Sequence, residues 1–190
     1  MLKDTIVKLL ESTQKEGIEN LIAHMEKIGY FTAPSSGAYH CSCKGGLMEH
    51  SYNVWNFGMV NIRLDNLDID LKSWKIVSLL HDLGKADYRQ KPNYIPNVLK
   101  GGKVSESKPF KTNPDRLYIP HEAVSVFIAS QFIELTDEEE FAILYHNGMY
   151  TSLGRDISGK ERPLQQALHF SDMWCSRFIE GKTKNEGDDE

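Results

Sequence analysis

Residues 77–89 read Val-Ser-Leu-Leu-His-Asp-Leu-Gly-Lys-Ala-Asp-Tyr-Arg, and the pair His81-Asp82 inside that stretch governs how the rest of the chain is read. Upstream stand Leu71, Trp74, Ile76, Val77, Leu79 and Leu80, with Leu83 beyond. Apolar residues this dense predict a buried helix from Leu71 to about Ala86, started by Asp70 or Ser73. Two polar side chains within it face an apolar core. A buried carboxylate is costly unless it is paired or bound to a metal. Asp172, among Ala167, Leu168, Phe170, Met173 and Trp174, poses the same problem on a later helix. Either aspartate alone fits a hydrogen-bonded core residue. The two together, with His50, His81, His121 and His146 set one per helix, favour a metal site inside a helical bundle with ligands from facing helices.

Imidazole plus carboxylate suits divalent first-row ions. A carboxylate has two oxygens and can bridge two ions, which a histidine cannot, so Asp82 is the expected bridge. His50, His81, Asp82 and Asp172 would form one group, and Asp82, His121 and His146 a second. Two ions about 4 Å apart activate a water and stabilise charge on a phosphoryl group. The absence of thiolates from this set argues against a structural zinc site.

The remaining chain reads as further helices around one irregular insertion. Leu2, Ile6, Leu9, Leu10 and then Ile18, Leu21, Ile22, Met25, Ile28 have helical spacing over 2–29, with a break expected near Gly17. Residues 30–46 read as loop and Leu47 to about Asn61 as helix. A helix starting at His121 runs to Phe132, another runs from Thr136 to about His146, 148–162 reads as loop, and a last helix spans about Pro163 to Ile179. Residues 88–118 differ: four prolines, a Gly101-Gly102 pair suited to a hairpin turn, and a net charge of +5 in a chain of −5. That segment reads either as a solvated hairpin with edge-protecting lysines or as a phosphate-attracting flap. The expected fold is all-α: a bundle of about six helices with one β-hairpin insertion, residues 1–180 forming a single domain and 181–190 an acidic flexible tail.

At 190 residues, with 40% hydrophobic and 26% charged, the composition is ordinary globular. The acidic balance excludes a general polyanion binder. The chain shows no stretch of about 18 uncharged apolar residues and no signal-peptide core, so a cytoplasmic location and no membrane partner are expected. Three cysteines, Cys41, Cys43 and Cys175, suggest no disulfide framework. His40 with Cys41 and Cys43 is too tight a loop for zinc and lacks a fourth ligand.

The order His50, His81-Asp82, His121, His146, Asp172 resembles the HD-domain metal-dependent phosphohydrolase superfamily. The strings YFTAPSSGAYHCSCKGGLMEHSYNV, VSLLHDLGKADYR, PHEAVSVF, ILYHNGMY and LHFSDMW look like a small single-domain branch found in bacteria and their phages. That branch is similar to the hydrolase part of exoribonucleases that cut from the 3′ end, without their nucleic-acid-binding OB domain. The resemblance implies a metal-dependent phosphohydrolase acting as a phosphodiesterase on nucleotides or short oligonucleotides through a metal-activated water. It implies two divalent cofactor ions, Mn²⁺, Fe²⁺ or similar, held by His50, His81, Asp82, His121, His146 and Asp172. A nucleotidase or deoxynucleotide triphosphohydrolase is the enzyme alternative, and a catalytically silent, metal-holding nucleotide-binding module is the alternative from another class. Relatives usually carry Gly-His-Gly-Glu-Lys-Ser where this chain has Pro120-His121-Glu122-Ala123-Val124-Ser125, so another cation must replace that lysine. Lys85, one helical turn after His81 and Asp82, is the candidate with a catalytic or phosphate-binding role. Lys103 is a second candidate, and Tyr150 and Arg155 are candidates for the pocket mouth. His169, three residues before Asp172, reads either as its hydrogen-bond partner or as an ordinary core histidine, and His24 is expected to be structural.

Overall fold

The computed structural model describes residues 1–181, so the expected acidic tail falls, apart from Gly181, outside the described residues. The described chain is mostly helical, with one small antiparallel sheet, as expected. Eight α-helices appear instead of about six: α1 Leu2–Glu11, α2 Ile18–Lys27, α3 Gly46–Phe57, α4 Leu71–Leu80, α5 His121–Ala129, α6 Asp137–Leu144, α7 Ser152–Arg155 and α8 Pro163–Trp174. Two differences account for the number. The first predicted helix breaks at Gly17, as its sequence suggested, with φ at 83°. The segment 148–162, read as loop, contains the short α7, whose N-cap Thr151 accepts a hydrogen bond from the Gly154 amide. No helix among the described residues is long and apolar enough to cross a membrane.

Helix α4 is the axis of the core. Its N-cap Asp70 accepts from the Ser73 amide, and Trp74, Ile76, Val77, Leu79 and Leu80 are all buried. Tyr30 is buried on α4 and donates its hydroxyl to the Leu79 carbonyl at 2.8 Å. The predicted extension of α4 to Ala86 is corrected. The α-helix stops at Leu80, His81 caps it, and a 3₁₀ turn follows over Leu83–Lys85. That tight turn has a packing cause. A Cβ on Gly84 would lie 2.2 Å from the His121 carbonyl oxygen, so only glycine lets this turn press against the start of α5. The Gly84 amide donates to Ser125 Oγ, and that hydroxyl donates to the His121 carbonyl.

Helix α3 gives way to a wide π-type turn over Gly58–Ile62, and α8 to another over Cys175–Ile179. α6 carries a reciprocal cap between Thr136 and Glu139, and Glu139 also pairs with Lys15 at 2.8 Å. The hairpin consists of β1 Tyr94–Pro96 and β2 Phe110–Thr112, with Ile95 opposite Lys111. Its strands lie further from Gly101-Gly102 than the sequence suggested. The glycines form the tip of an irregular arm, closed by a Val98–Val104 bridge and a Gly102 amide bond to the Leu99 carbonyl. Pro96, Pro109 and the lack of apolar alternation keep the paired strands short. At its base Arg116 donates to the Gly84 and Ala86 carbonyls, fastening the arm to the 3₁₀ turn that follows Asp82.

Candidate metal centre

The helices bring all six predicted ligands into one buried cluster. α3 contributes His50 from its second turn. The end of α4 contributes His81 and Asp82. His121 is the first residue of α5, held there by Pro120 at the N-cap, and His146 follows α6 by two residues. Asp172 comes from the last turns of α8. His50, His81, Asp82 and His146 are buried. His121 and Asp172 form the open edge, with side chains 25% and 17% exposed.

The separations between donor atoms are those of an ion's coordination polyhedron. With metal–nitrogen bonds of about 2.1 Å, neighbouring ligand atoms lie roughly 3.0 Å apart on an octahedron and 3.4 Å on a tetrahedron. His50 Nε2 lies 3.1 Å from Asp172 Oδ1, 3.3 Å from His81 Nε2 and 3.6 Å from Asp82 Oδ2. On the other side, Asp82 Oδ1 lies 3.1 Å from His121 Nε2 and 3.7 Å from His146 Nε2. The two oxygens of Asp82 are thus divided between two groups, one with His50 and His81, the other with His121 and His146. His146 also lies within reach of His81 and Asp172, so it is less exclusive to the second group than its sequence position suggested.

The outward nitrogens explain why the inward ones are free to ligate. His81 Nδ1 lies 3.0 Å from the Ser78 carbonyl, and His146 Nδ1 2.8 Å from the Ile143 carbonyl. His50 Nδ1 lies 2.8 Å from Glu180 Oε2, and His121 Nδ1 3.3 Å from Glu122 Oε2. Each of these oxygens can only accept, so each Nδ1 carries a proton, and Nε2 is the nitrogen turned toward the cluster. This is the usual support of a metal-bound histidine. Asp82 Oδ1 and His121 Nε2, though close, are not aligned for a hydrogen bond, and both are buried without a partner. A cation between such orphaned polar atoms would satisfy both. The donor set therefore fits divalent ions.

The charges give the same answer. Burial alone would lower the His50 pKa, but the hydrogen bonds and charges of Asp172 and Glu180 outweigh it and raise it to about 10. Burial, then the neighbouring charge of His81, lowers His146 to about 3, which leaves it neutral and ready to ligate. Burial pushes the Asp82 carboxyl up, but the charges of Lys85 and His81 hold it well below the usual carboxylate range. Lys85 Nζ lies 2.6 Å from Asp82 Oδ2. Residues i and i+3 eclipse in a 3₁₀ turn, so this contact follows from the tight turn, not from the α-helical spacing the sequence suggested.

Four supporting residues escaped the sequence reading: Glu180, Asn53, Glu122 and Asn147. Glu180 accepts from Asn53 at 2.8 Å as well as from His50. The π-type turn after α8 brings it back over α3 through a Glu180 amide bond to the Cys175 carbonyl. Asn53, three residues after His50, was the legible half of that pair. Asn147 donates to Glu122 Oε1 at 2.6 Å and contacts His146 Nε2 at 3.2 Å.

Other expected residues fall elsewhere. His169 does not bond Asp172. Its Nδ1 reaches the His146 carbonyl at 2.7 Å, because residues after α6 fold back over α8. Lys103 is exposed at the tip of the arm and Arg155 at the end of α7, and neither side chain has an ion-pair or hydrogen-bond partner among the described residues. Tyr150 packs against His169 and under Arg177. His24 packs on Phe132, a structural place as expected. Comparisons with protein families, with curated proteins and with solved structures find no match to this chain.

Proposed function

We propose that the chain is a metal-dependent phosphohydrolase of the HD-domain type, acting as a phosphodiesterase on nucleotides or short oligonucleotides. The observation that carries this reading is the division of the two Asp82 oxygens between two sets of imidazole nitrogens, His50 and His81 on one side and His121 and His146 on the other. Divalent ions such as Mn²⁺ or Fe²⁺, held by these residues and Asp172, would supply Lewis-acid stabilisation of phosphoryl charge and lower the pKa of a bound water.

The chain's own residues define the rest. Asp82 fixes the spacing of the two groups, and its two oxygens serve both. Lys85 stays cationic beside it because the negative charge of Asp82 more than offsets burial. Its ammonium group would hold a non-bridging phosphoryl oxygen, the task that the resemblance implies for the lysine absent after His121. His121 and Asp172 line the open edge, where a phosphate ester enters. The presence of both His121 and His146 supports diesterase chemistry, since together they complete the second group. Lys103 and Arg155 contribute through their field and not through contact.

The test is release of nitrophenol from bis-p-nitrophenyl phosphate and from p-nitrophenyl phosphate, with Mn²⁺ or Fe²⁺ and after chelation. Metal-dependent release from the diester in preference to the monoester supports the reading. Protein that holds its metal and releases nothing from either ester, or from a panel of nucleotides, sinks it in favour of a binding module.

A further inference from the structure

We propose that the cavity bounded by Lys85, Asp87 and Tyr94 is a nucleoside subsite, taking the base and sugar whose phosphate Lys85 holds at the cluster. The proposal rests on the phosphohydrolase reading for the identity of its ligand, and on the cavity for its place. The cavity measures about 280 Å³ and lies between the loop after α2, the turn after α4 and the base of the arm. Ligand pockets commonly measure about 300–1,000 Å³, so this one takes a single nucleoside and no run of nucleotides. Lys85 belongs to the cavity and to the cluster alike. It lines the cavity, and its Nζ lies 2.6 Å from Asp82 Oδ2. A phosphate on that ammonium group therefore has the cavity beside it.

The walls are largely apolar and are tied to one another. Ile28, Ala33, Pro34 and Pro92 line them together with the Tyr94 ring. The Asp87 amide donates to the Ile28 carbonyl at 3.0 Å, and the Phe110 amide to the Gly37 carbonyl at 3.1 Å. Arg116 donates to the Ala86 carbonyl at 2.8 Å. These bonds join the three sides before any ligand arrives, which lowers the ordering cost of binding. A Cβ on Gly37 would lie 3.8 Å from the Tyr94 ring, so the arm seats that ring closely against the loop. Apolar walls with one aromatic ring suit a base, because every base has a π-face. The polar side of the cavity adds selection. Ala86 is extended, with ψ at −170°, so Lys85 and Asp87 on either side of it turn the same way. The Asp87 carboxylate forms no hydrogen bond or ion pair among the described residues, and its Oδ1 is buried. An ionised carboxylate only accepts, so it selects a base that turns N–H groups toward it. Guanine presents adjacent N–H groups on one edge. Uracil presents one N–H between two carbonyl oxygens, which a carboxylate repels. The subsite therefore favours guanine.

The experiment uses the full chain loaded with Mn²⁺, with metal content measured on every variant. Inorganic phosphate, ribose 5-phosphate, guanosine 5′-monophosphate and uridine 5′-monophosphate are titrated calorimetrically. The guanosine nucleotide is expected to bind about tenfold or more tighter than ribose 5-phosphate, with the uridine nucleotide between them. Tyr94→Ala is expected to lose most of that margin, with phosphate affinity and metal content equal to the parent. Ala33→Phe, which fills the cavity and removes no polar group, is expected to do the same, and it is the variant to rely on if alanine at 94 loosens the arm. Asp87→Asn is expected to bring the two nucleotides to similar affinity. Equal binding of ribose 5-phosphate and both nucleotides by the parent overturns the proposal, as does a margin that survives both Tyr94→Ala and Ala33→Phe. An unchanged preference in Asp87→Asn overturns the part given to the carboxylate. If nucleotides bind through Tyr94 but no ester is cleaved, the hydrolase reading fails and the subsite stands. If esters are cleaved and the base adds nothing to binding, the subsite fails and the hydrolase reading stands.

Discussion

Around His50 both ring nitrogens face a carboxylate, Glu180 on one side and Asp172 on the other, and the side chain is fully buried. Around His121 the arrangement is looser. One nitrogen lies 3.3 Å from Glu122, the other faces an Asp82 oxygen with which it is not aligned, and a quarter of the side chain meets solvent. The carboxylates at the inward nitrogens differ too: Asp172 and Asp82 lie 3.1 Å and 3.6 Å from His50 Nε2, and Asp82 alone lies against His121 Nε2. More negative charge and less solvent mean tighter cation binding. The two halves should therefore hold ions with unequal tenacity, the His50 half tightly and the His121 half exchangeably.

Asp82 is the point where the halves meet, so its removal has the largest expected effect. Asp82→Ala should fall from two ions per chain to near zero and lose all measurable hydrolysis. Elemental analysis after purification without chelator checks this. A variant that retains the parent's metal content would break the comparison at its root, because no shared ligand would then join the two halves.

Next in size is the contrast between His50 and His121. His50→Ala strips the partner from two carboxylates, Asp172 and Glu180, that are largely buried. Breaking a buried pair costs on the order of 3–5 kcal/mol, which for a chain of this size lowers Tm by roughly 6–20 °C. His121→Ala should lose one ion and lower Tm by less, since Glu122 keeps its hydrogen bond from Asn147 and the His121 side chain is already a quarter exposed. Thermal melts with metal analysis distinguish the two, and equal destabilisation by both variants would erase the asymmetry. His146 is a poorer probe, because it lies within reach of both groups.

Glu180→Gln sharpens the same comparison more gently. Gln keeps the shape but weakens the acceptor for His50 Nδ1. Loss of an outer partner of a metal-bound histidine typically costs about 10–100-fold in metal affinity. The tighter ion should weaken by that factor, while the exchangeable ion should not. Competition with a chelator of known affinity measures each. Equal weakening of both ions would mean that Glu180 acts on the whole cluster and not on the His50 half.

Glu180 also marks the limit of what the sequence could reveal. The six clustered residues were legible because each is a polar residue within or beside an apolar helical run, and because their order resembles a known pattern. The helices bearing them were legible from spacing and caps, as at Asp70 and Thr136. Glu180 was not, because it follows Ile179 at the edge of a polar, acidic stretch and looks like the start of a tail. Only the i→i+5 turn of Cys175–Ile179 returns it to His50, and a single π-type turn has no hydropathy signature. The end of α4 was misjudged for a related reason. Apolar periodicity continues from Leu80 through Leu83 to Ala86, while the backbone tightens because Gly84 allows the turn against α5. Helical spacing left His169 open between a bond to Asp172 and an ordinary core place, and a carbonyl from another segment, that of His146, takes its Nδ1. Local patterns placed the ligands; the residues that orient them are set by contacts distant in sequence.

The smallest expected effect lies in the basic arm. Segment 88–118 carries +5 in a chain of −5. Not all of that charge is free. Arg116 is committed to the Gly84 and Ala86 carbonyls, and Lys91 donates to the Asp115 carbonyl. Lys100, Lys103, Lys108 and Lys111 are exposed, and their side chains have no ion-pair or hydrogen-bond partner among the described residues. They touch no ligand of the cluster, so they can act only through their field, which is screened over about 8–10 Å at moderate salt. Arg116 anchors this arm to the turn that carries Lys85, so the field is tied to the site's rim. Neutralising the four lysines together should therefore raise KM roughly threefold to tenfold at low salt, more for an oligonucleotide than for a mononucleotide. The penalty should shrink as salt rises, with kcat and metal content little changed. The rival role, protection of the short β1–β2 edge from pairing with other chains, predicts aggregation with KM unaltered. Steady-state kinetics on both substrates at two salt concentrations, with light scattering on the same samples, separates the two. An unchanged KM for both substrates would remove the arm from substrate capture and leave Lys85 as the cation nearest the phosphate.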